Sequence, residues 1–237
     1  PDKFNAFDSS PLPATDATTG NIQTKFIDDS IELRIVALNT DTPPIIDSAF
    51  SKDVEVSLLL NMNPSITLDS ITHCPSSQVD STTPITAPLV EGKANIAIPK
   101  LDNVWKNASV KIHYQPETGP SVTSCSIDQF SIRPASLTLK ISHDNWEEAG
   151  NKDFDEDTVH KTGRPFSIQV KAIDANEITT SNFNESPTNI LNKINATDVL
   201  GNGNFSLTAS NGVATNNTAN YLEVGSVTLQ YTDQSFT

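Results

Sequence analysis

The side chains with the clearest capacity for chemistry are carboxylates, sulfurs and two indoles. Asp153, Asp155 and Asp157 alternate in Asp153-Phe154-Asp155-Glu156-Asp157, the spacing at which a calcium loop begins, since a hard cation collects oxygen ligands from every second residue of a tight turn. Thr158 stands where the turn glycine belongs, and no glutamate closes the loop at the required distance. A solvated loop tip is therefore expected, with calcium as the alternative. Trp146 lies in the same acidic loop, Asp144 to Asp157, between Asn145 and Glu147-Glu148. An exposed indole there would offer a flat apolar face to a sugar ring. Trp105 could offer the same face, and a place in the first core is expected for it.

Cys74 and Cys125 are the two cysteines. A zinc site needs more ligands than these, and His73 is the single histidine beside either. A disulfide is the expected state, implying an oxidising compartment, and two buried free thiols are the alternative. The bond would close a loop of about 50 residues and stabilise by on the order of 4 kcal/mol in the chain-entropy model. His73, His113, His143 and His160 show neither His-x-x-x-His nor His-x-His spacing, so a metal enzyme finds no support. There is no Gly-x-Ser-x-Gly elbow and no phosphate-cradling glycine loop. Paired carboxylates of a glycoside hydrolase would leave no linear signature. The expectation is a protein without a catalytic centre and without a cofactor, calcium being the alternative.

Composition sets the class of scaffold that must position these groups. Valine, isoleucine, threonine and serine are abundant, and helical-period alternation is missing, which is the composition of an all-β protein. The 237 residues carry 15 Lys+Arg against 29 Asp+Glu, a formal charge of -14. Such a surface repels a phosphate backbone and an anionic membrane alike, so no nucleic acid partner is expected. No apolar run approaches the ~20 residues of a membrane span, so no membrane insertion is expected in this segment. Pro1-Asp2-Lys3 resembles neither a signal peptide nor an initiator, and the chain is read as a piece of a longer one.

Period-two alternation then marks the strands. Ile31, Leu33, Ile35 and Ala37 share one face, with Glu32 and Arg34 on a face expected to be mostly wet. Val54 to Leu60, Ala94 to Ile98 and Ser109 to Tyr114 continue the pattern, while residues 72–88 are expected to be a surface loop. After Pro134 the alternation starts again at Leu137, Leu139 and Ile141. Phe166 to Asp174 can be laid on Ile31 to Asn39 position for position, which points to two related units. Ser186-Pro187 suits the start of a short helix, and a loop fits as well. Asn211-Gly212 signals a type I′ hairpin, and Val227, Leu229 and Tyr231 mark a closing strand.

One stretch carries a resemblance. Cys125-Ser126-Ile127-Asp128-Gln129-Phe130-Ser131-Ile132-Arg133-Pro134-Ala135-Ser136-Leu137 resembles the Cys-Ser-x-Asp-x-Phe-x-Ile-Arg-Pro-Ala-Ser-Phe signature of large bacterial surface proteins of the MSHA pilus biogenesis type, the MshQ-like family. Phe4-Asn5-Ala6-Phe7-Asp8, Gly163-Arg164-Pro165-Phe166 and Tyr221 to Leu229 look like further marks of it. Leu137 departs from the usual phenylalanine, and Ile127 and Gln129 from the commoner residues. The resemblance implies an exported, extracellular protein of the bacterial cell surface, assembled from β-sandwich modules. It brings no catalytic residue to carry over.

The expected architecture is two tandem immunoglobulin-like β-sandwiches, 1–128 and 129–237, with a Cys74–Cys125 disulfide in the first. The expected role is a non-catalytic structural or adhesive module, whose partners are other domains of the same protein, pilus components or a host or surface glycan. The rival is a carbohydrate- or calcium-dependent binding module using the Asp144 to Asp157 loop.

Overall fold

Strand-forming composition is realised in both halves of the chain among the described residues. The computed structural model describes residues 1–60, 62, 65–77, 79–142, 163–183, 188–193, 203–222 and 227–232. Every regular element among them is a β-strand, and the chain falls into two units, Pro1–Arg133 and Pro134–Ser235. Several sheets built in this way fit a β-sandwich class.

The first unit contains β1 (Lys3–Asp8), β2 (Lys25–Phe26), β3 (Ile31–Leu38), β4 (Asp53–Leu60), β5 (Asp80–Ser81), β6 (Ile85–Pro88), β7 (Lys93–Ile98), β8 (Trp105–Tyr114), β9 (Val122–Cys125) and β10 (Phe130–Arg133). One antiparallel sheet runs β1-β3-β7. The other runs β2-β10-β8-β4-β5, with β6 on β4 and β9 on β8. Leu33 and Ile35 of the first sheet and Leu58, Ile112 and Ile132 of the second are almost wholly withdrawn from solvent. Burying each such side chain is worth about 1.5–3 kcal/mol. Phe50 joins the two sheets edge-on, its ring 5.7 Å from Phe4 of β1 and 5.0 Å from Tyr114 of β8.

The alternation in β3 fixes which residues share a face, but its second face is not wet. Arg34, Val36 and Leu38 are buried there because the chain between β1 and β2 lies across them. The Arg34 guanidinium donates to Asn95 Oδ1 and the Ala14 carbonyl, both at 3.1 Å, and to the Pro13 carbonyl at 3.5 Å. Phe7, Val36 and Leu38 pack with Ala17 and Ile46. A Cβ on Gly20 would stand 2.9 Å from Phe7 Cδ2, so glycine is what lets this crossing segment lie close to the sheet.

Two further segments differ from the sequence expectation. Within the expected loop 72–88, β6 pairs with β4, Ala87 opposite Val54 and Ile85 opposite Val56. Proline at both its edges hid the strand, yet an edge position tolerates proline. Phe130 to Arg133, expected to open the second unit, lies in the first. β9 and β10 both run antiparallel to β8, Cys125 opposite Lys111 and Phe130 opposite Ala108. Pro134, without an N–H to donate, comes directly after this last strand.

The second unit contains β11 (Ser136–Ser142), β12 (Phe166–Ile173), β13 (Thr188–Lys193), β14 (Gly203–Asn204), β15 (Thr208–Ser210), β16 (Val213–Tyr221) and β17 (Val227–Thr232). β11-β12-β16-β14 form a sheet with β15 on β16, and β13 pairs with β17. β12 lies between β11 and β16, just as β3, the stretch it matches in sequence, lies between β1 and β7. Asn211 and Gly212 take φ of 50° and 81° between β15 and β16, the paired positive values of a type I′ turn. A Cβ on Gly212 would collide with the Thr180 carbonyl oxygen. Thr188 to Lys193, offered by the sequence as helix or loop, is the strand β13, because six residues opposite β17 supply it with a ladder.

The core of this unit gathers Phe166, Ile168, Val170, Phe205, Leu207, Ala214 and Ala219, with Leu229 and Tyr231 against it. The Tyr231 hydroxyl donates to the Phe205 carbonyl at 2.9 Å, and burial pushes its pKa from 10.0 up to about 12. A raised folded pKa means stability fully present below pH 10 and lost as pH rises toward 12. Tyr231→Phe is expected to remove that alkaline loss. Denaturation midpoints of the second unit across this range check it, and an unchanged pH dependence in the variant would contradict it.

Candidate functional site

Cys125 ends β9 and is fully buried. It is disulfide-bonded to Cys74, with Cα atoms 4.9 Å apart across 51 residues of sequence. The bond gathers a small cluster in which Leu59, Met62 and Cys125 are buried, with Ile66, Leu68, Cys74 and Val79 packed on it. The Cys125 N–H also donates to the Thr72 carbonyl at 2.7 Å. Around Thr72 the chain turns back on itself under the control of Asp69, whose Oδ1 accepts from Ile71 N–H (3.0 Å), Thr72 N–H (2.7 Å) and the Thr72 hydroxyl (2.9 Å).

The residues flanking Cys125 form a seam between β9, with the turn that follows it, and the first strand and the chain after it. Phe4 N–H donates to Ser124 Oγ at 3.0 Å. Ile127 N–H donates to Asn5 Oδ1 at 3.1 Å, while Asn5 Nδ2 donates to the Thr18 carbonyl at 3.0 Å. Ile22 N–H donates to Asp128 Oδ2 at 2.6 Å. Ser126 works on the other side, toward β8. Its hydroxyl donates to the Asp128 carbonyl at 2.7 Å and accepts Val110 N–H at 3.0 Å. Since that one proton is spent on a carbonyl, the 3.0 Å contact with Ser109 Oγ has Ser109 as donor. Further on, Phe130 and Ile132 are buried, the Ser131 hydroxyl donates to the Lys106 carbonyl at 2.6 Å, and Arg133 lies over the Phe26 ring at 4.3 Å.

This arrangement can hold chain in place. The buried hydroxyls of Ser109 and Ser126 each have their proton committed to a neutral acceptor, with no histidine or carboxylate oxygen to draw it off, so neither is an activated nucleophile. His113 Nδ1 lies 2.7 Å from Thr123 Oγ1 across the β8–β9 pair. Asp8 and Lys25 make a largely buried ion pair at 2.7 Å, the second carboxylate oxygen accepting Gln23 N–H at 2.9 Å.

The sequence had singled out the two cysteines, and the structure joins them. Asp153, Asp155, Asp157 and Trp146, with His143, His160 and the loop that carries them, lie outside the described residues. Trp105 is half-buried at the start of β8, opposite Ile132. Among the described residues no three His, Cys, Asp or Glu side chains stand together as a metal site, and no helix is long and apolar enough to cross a membrane. Sequence reasoning gave no contact to Asn5, Ser124, Ser126 or Asp128, because short polar residues look alike whether they face water or a buried backbone group. No protein-family model and no curated protein matches the chain.

Asp69 yields a direct check of the turn. Hydrogen bonds from Thr72 and Ile71 hold its pKa below the ordinary 3.8. A depressed folded pKa means that the turn's electrostatic support is present above pH 3.8 and lost as pH falls through the lowered value. The Ile71 and Thr72 amide proton shifts are expected to titrate below pH 3.8; a midpoint at or above it would contradict the turn.

Proposed function

We propose that this chain is a non-catalytic structural or adhesive part of an exported bacterial surface protein, of the MshQ-like kind that its sequence resembles. One observation carries the reading. The residues of the resemblance between Cys125 and Arg133 are engaged in holding the last strand of the first unit: Cys125 in the disulfide, Ser126 and Asp128 in hydrogen bonds, Phe130 and Ile132 in the core, Arg133 on Phe26. A signature of this kind marks a scaffold, not a reaction centre.

The disulfide supports the same reading, since such bonds persist in oxidising compartments. The 29 acidic side chains against 15 basic ones favour a chain that stays apart from anionic surfaces. On this reading the two units are tandem immunoglobulin-like β-sandwiches. Their partners are neighbouring domains of the same protein or pilus components, and the adhesive target is a host or surface glycan.

Protease shaving of intact bacteria that encode the chain tests this. The expected result is release of its peptides from unbroken cells, with Cys74 and Cys125 recovered as a disulfide-linked pair. Recovery from lysed cells alone, with both thiols free, would overturn the proposal.

A further inference from the structure

The segment 65–77 builds most of its structure from itself. Leu68 and Pro75 form an antiparallel bridge. Ser76 N–H donates to the Thr67 carbonyl, Asp69 N–H to the Cys74 carbonyl and His73 N–H to the Asp69 carbonyl, each at 2.9 Å. None of its residues is buried, and Ile71 at its tip is 67% exposed. It contributes no side chain to the fully buried core set, which includes Leu33, Ile35, Leu58, Ile112 and Ile132 from the strands. It is attached to the rest of the unit by the disulfide, by the Cys125 N–H on the Thr72 carbonyl, and by the packing of Ile66 and Leu68 against Leu59 and Met62.

The strand on the other side of the disulfide is anchored independently. β9 pairs with β8 from Cys125 to Val122, and Ser124 and the Ser126-to-Asp128 turn are tied to Phe4, Asn5 and Ile22. Cutting the sulfur bridge therefore leaves the strand with its partners. The hairpin, by contrast, loses its covalent cross-link to that strand.

We propose that Cys74–Cys125 is a redox latch: its reduction frees the 65–77 hairpin from the first unit and uncovers the apolar patch around Leu59 and Met62, while the sheets stay folded. A dithiol reductant supplies the two electrons. Its thiolate attacks the Sγ of Cys74, the half-buried residue of the pair, because Cys125 is fully buried. Cys125 leaves as thiolate and takes a proton. The second thiol of the reductant, as thiolate, then attacks its own sulfur in the mixed disulfide, releasing Cys74 as thiolate, which is protonated in turn, and the reductant departs as a cyclic disulfide.

Hydrogen exchange read by mass spectrometry tests the latch on the whole chain, oxidised, reduced with dithiothreitol, and as the Cys74→Ser/Cys125→Ala variant. In the reduced and variant samples amides of 66–76 are expected to exchange about tenfold faster or more, while those of β3, β4 and β8 stay within about twofold of the oxidised protein. Unchanged exchange in 66–76 would overturn the proposal, since the hairpin would be held without the bond. Loss of protection across β3, β4 and β8 together would overturn it too, because the bond would then be a staple of the entire unit.

Discussion

The first unit depends on one constraint: its last strand must be held on both sides. β9 and β10 hydrogen-bond to β8 along one edge. On the other side β10 carries the parallel strand β2, but β9 faces β1, and there the main chains make no ladder. Side chains bridge the gap, Ser124 taking the Phe4 N–H and Asn5 taking the Ile127 N–H. An edge strand with unpaired backbone groups is a template for unwanted pairing. Here the two edges blunt one another, and the contact closes across 120 residues of sequence. Neighbouring segments of the unit are tied to that closure. Asn5 passes the constraint on to the segment crossing β3 through Thr18, and Asp128 fixes the approach to β2 through Ile22.

Neutral groups do most of this work, which suits a buried seam. A buried charge costs far more to desolvate than a hydroxyl or amide. Ser109, Ser124, Ser126 and Asn5 are all buried and all bonded. The exceptions prove informative. Arg34 is buried with its guanidinium on carbonyl and amide oxygens, and Asp8 meets Lys25 where β1 approaches β2. Each of these charges is satisfied where it stands, so its polarity specifies position.

What the sequence made legible was whatever depends on near neighbours. Period two placed β3, β4, β8 and β12, and Asn211-Gly212 announced its turn by residue type alone. The match between β3 and β12 had structural meaning, since both are interior strands. What stayed hidden depends on distant partners. Nothing local in Arg34, Val36 or Leu38 says that residues 9–20 will cover them. Nothing in Thr188 to Lys193 outweighs a helix start until β17 lies alongside. Phe130 to Arg133 lies beyond the boundary expected after residue 128, and the continued pairing with β8 overrides that boundary. Of the candidate site, the cysteine pair was legible because two sulfurs have few alternatives. The serines and Asp128 were visible as part of a resemblance and not as contacts.

The central claim is that the residues around Cys125 are architectural. Ser126 and Ile127 are neighbours with opposite surroundings, the first buried and the second 48% exposed. Urea denaturation of Ser126→Ala beside Ile127→Ala tests the claim most directly. Removing the Ser126 hydroxyl strands the buried Val110 N–H and the Ser109 proton, a loss of about 1–3 kcal/mol, while the Ile127 change is expected to stay within about 0.5 kcal/mol. Equal stabilities for the two variants would contradict the account.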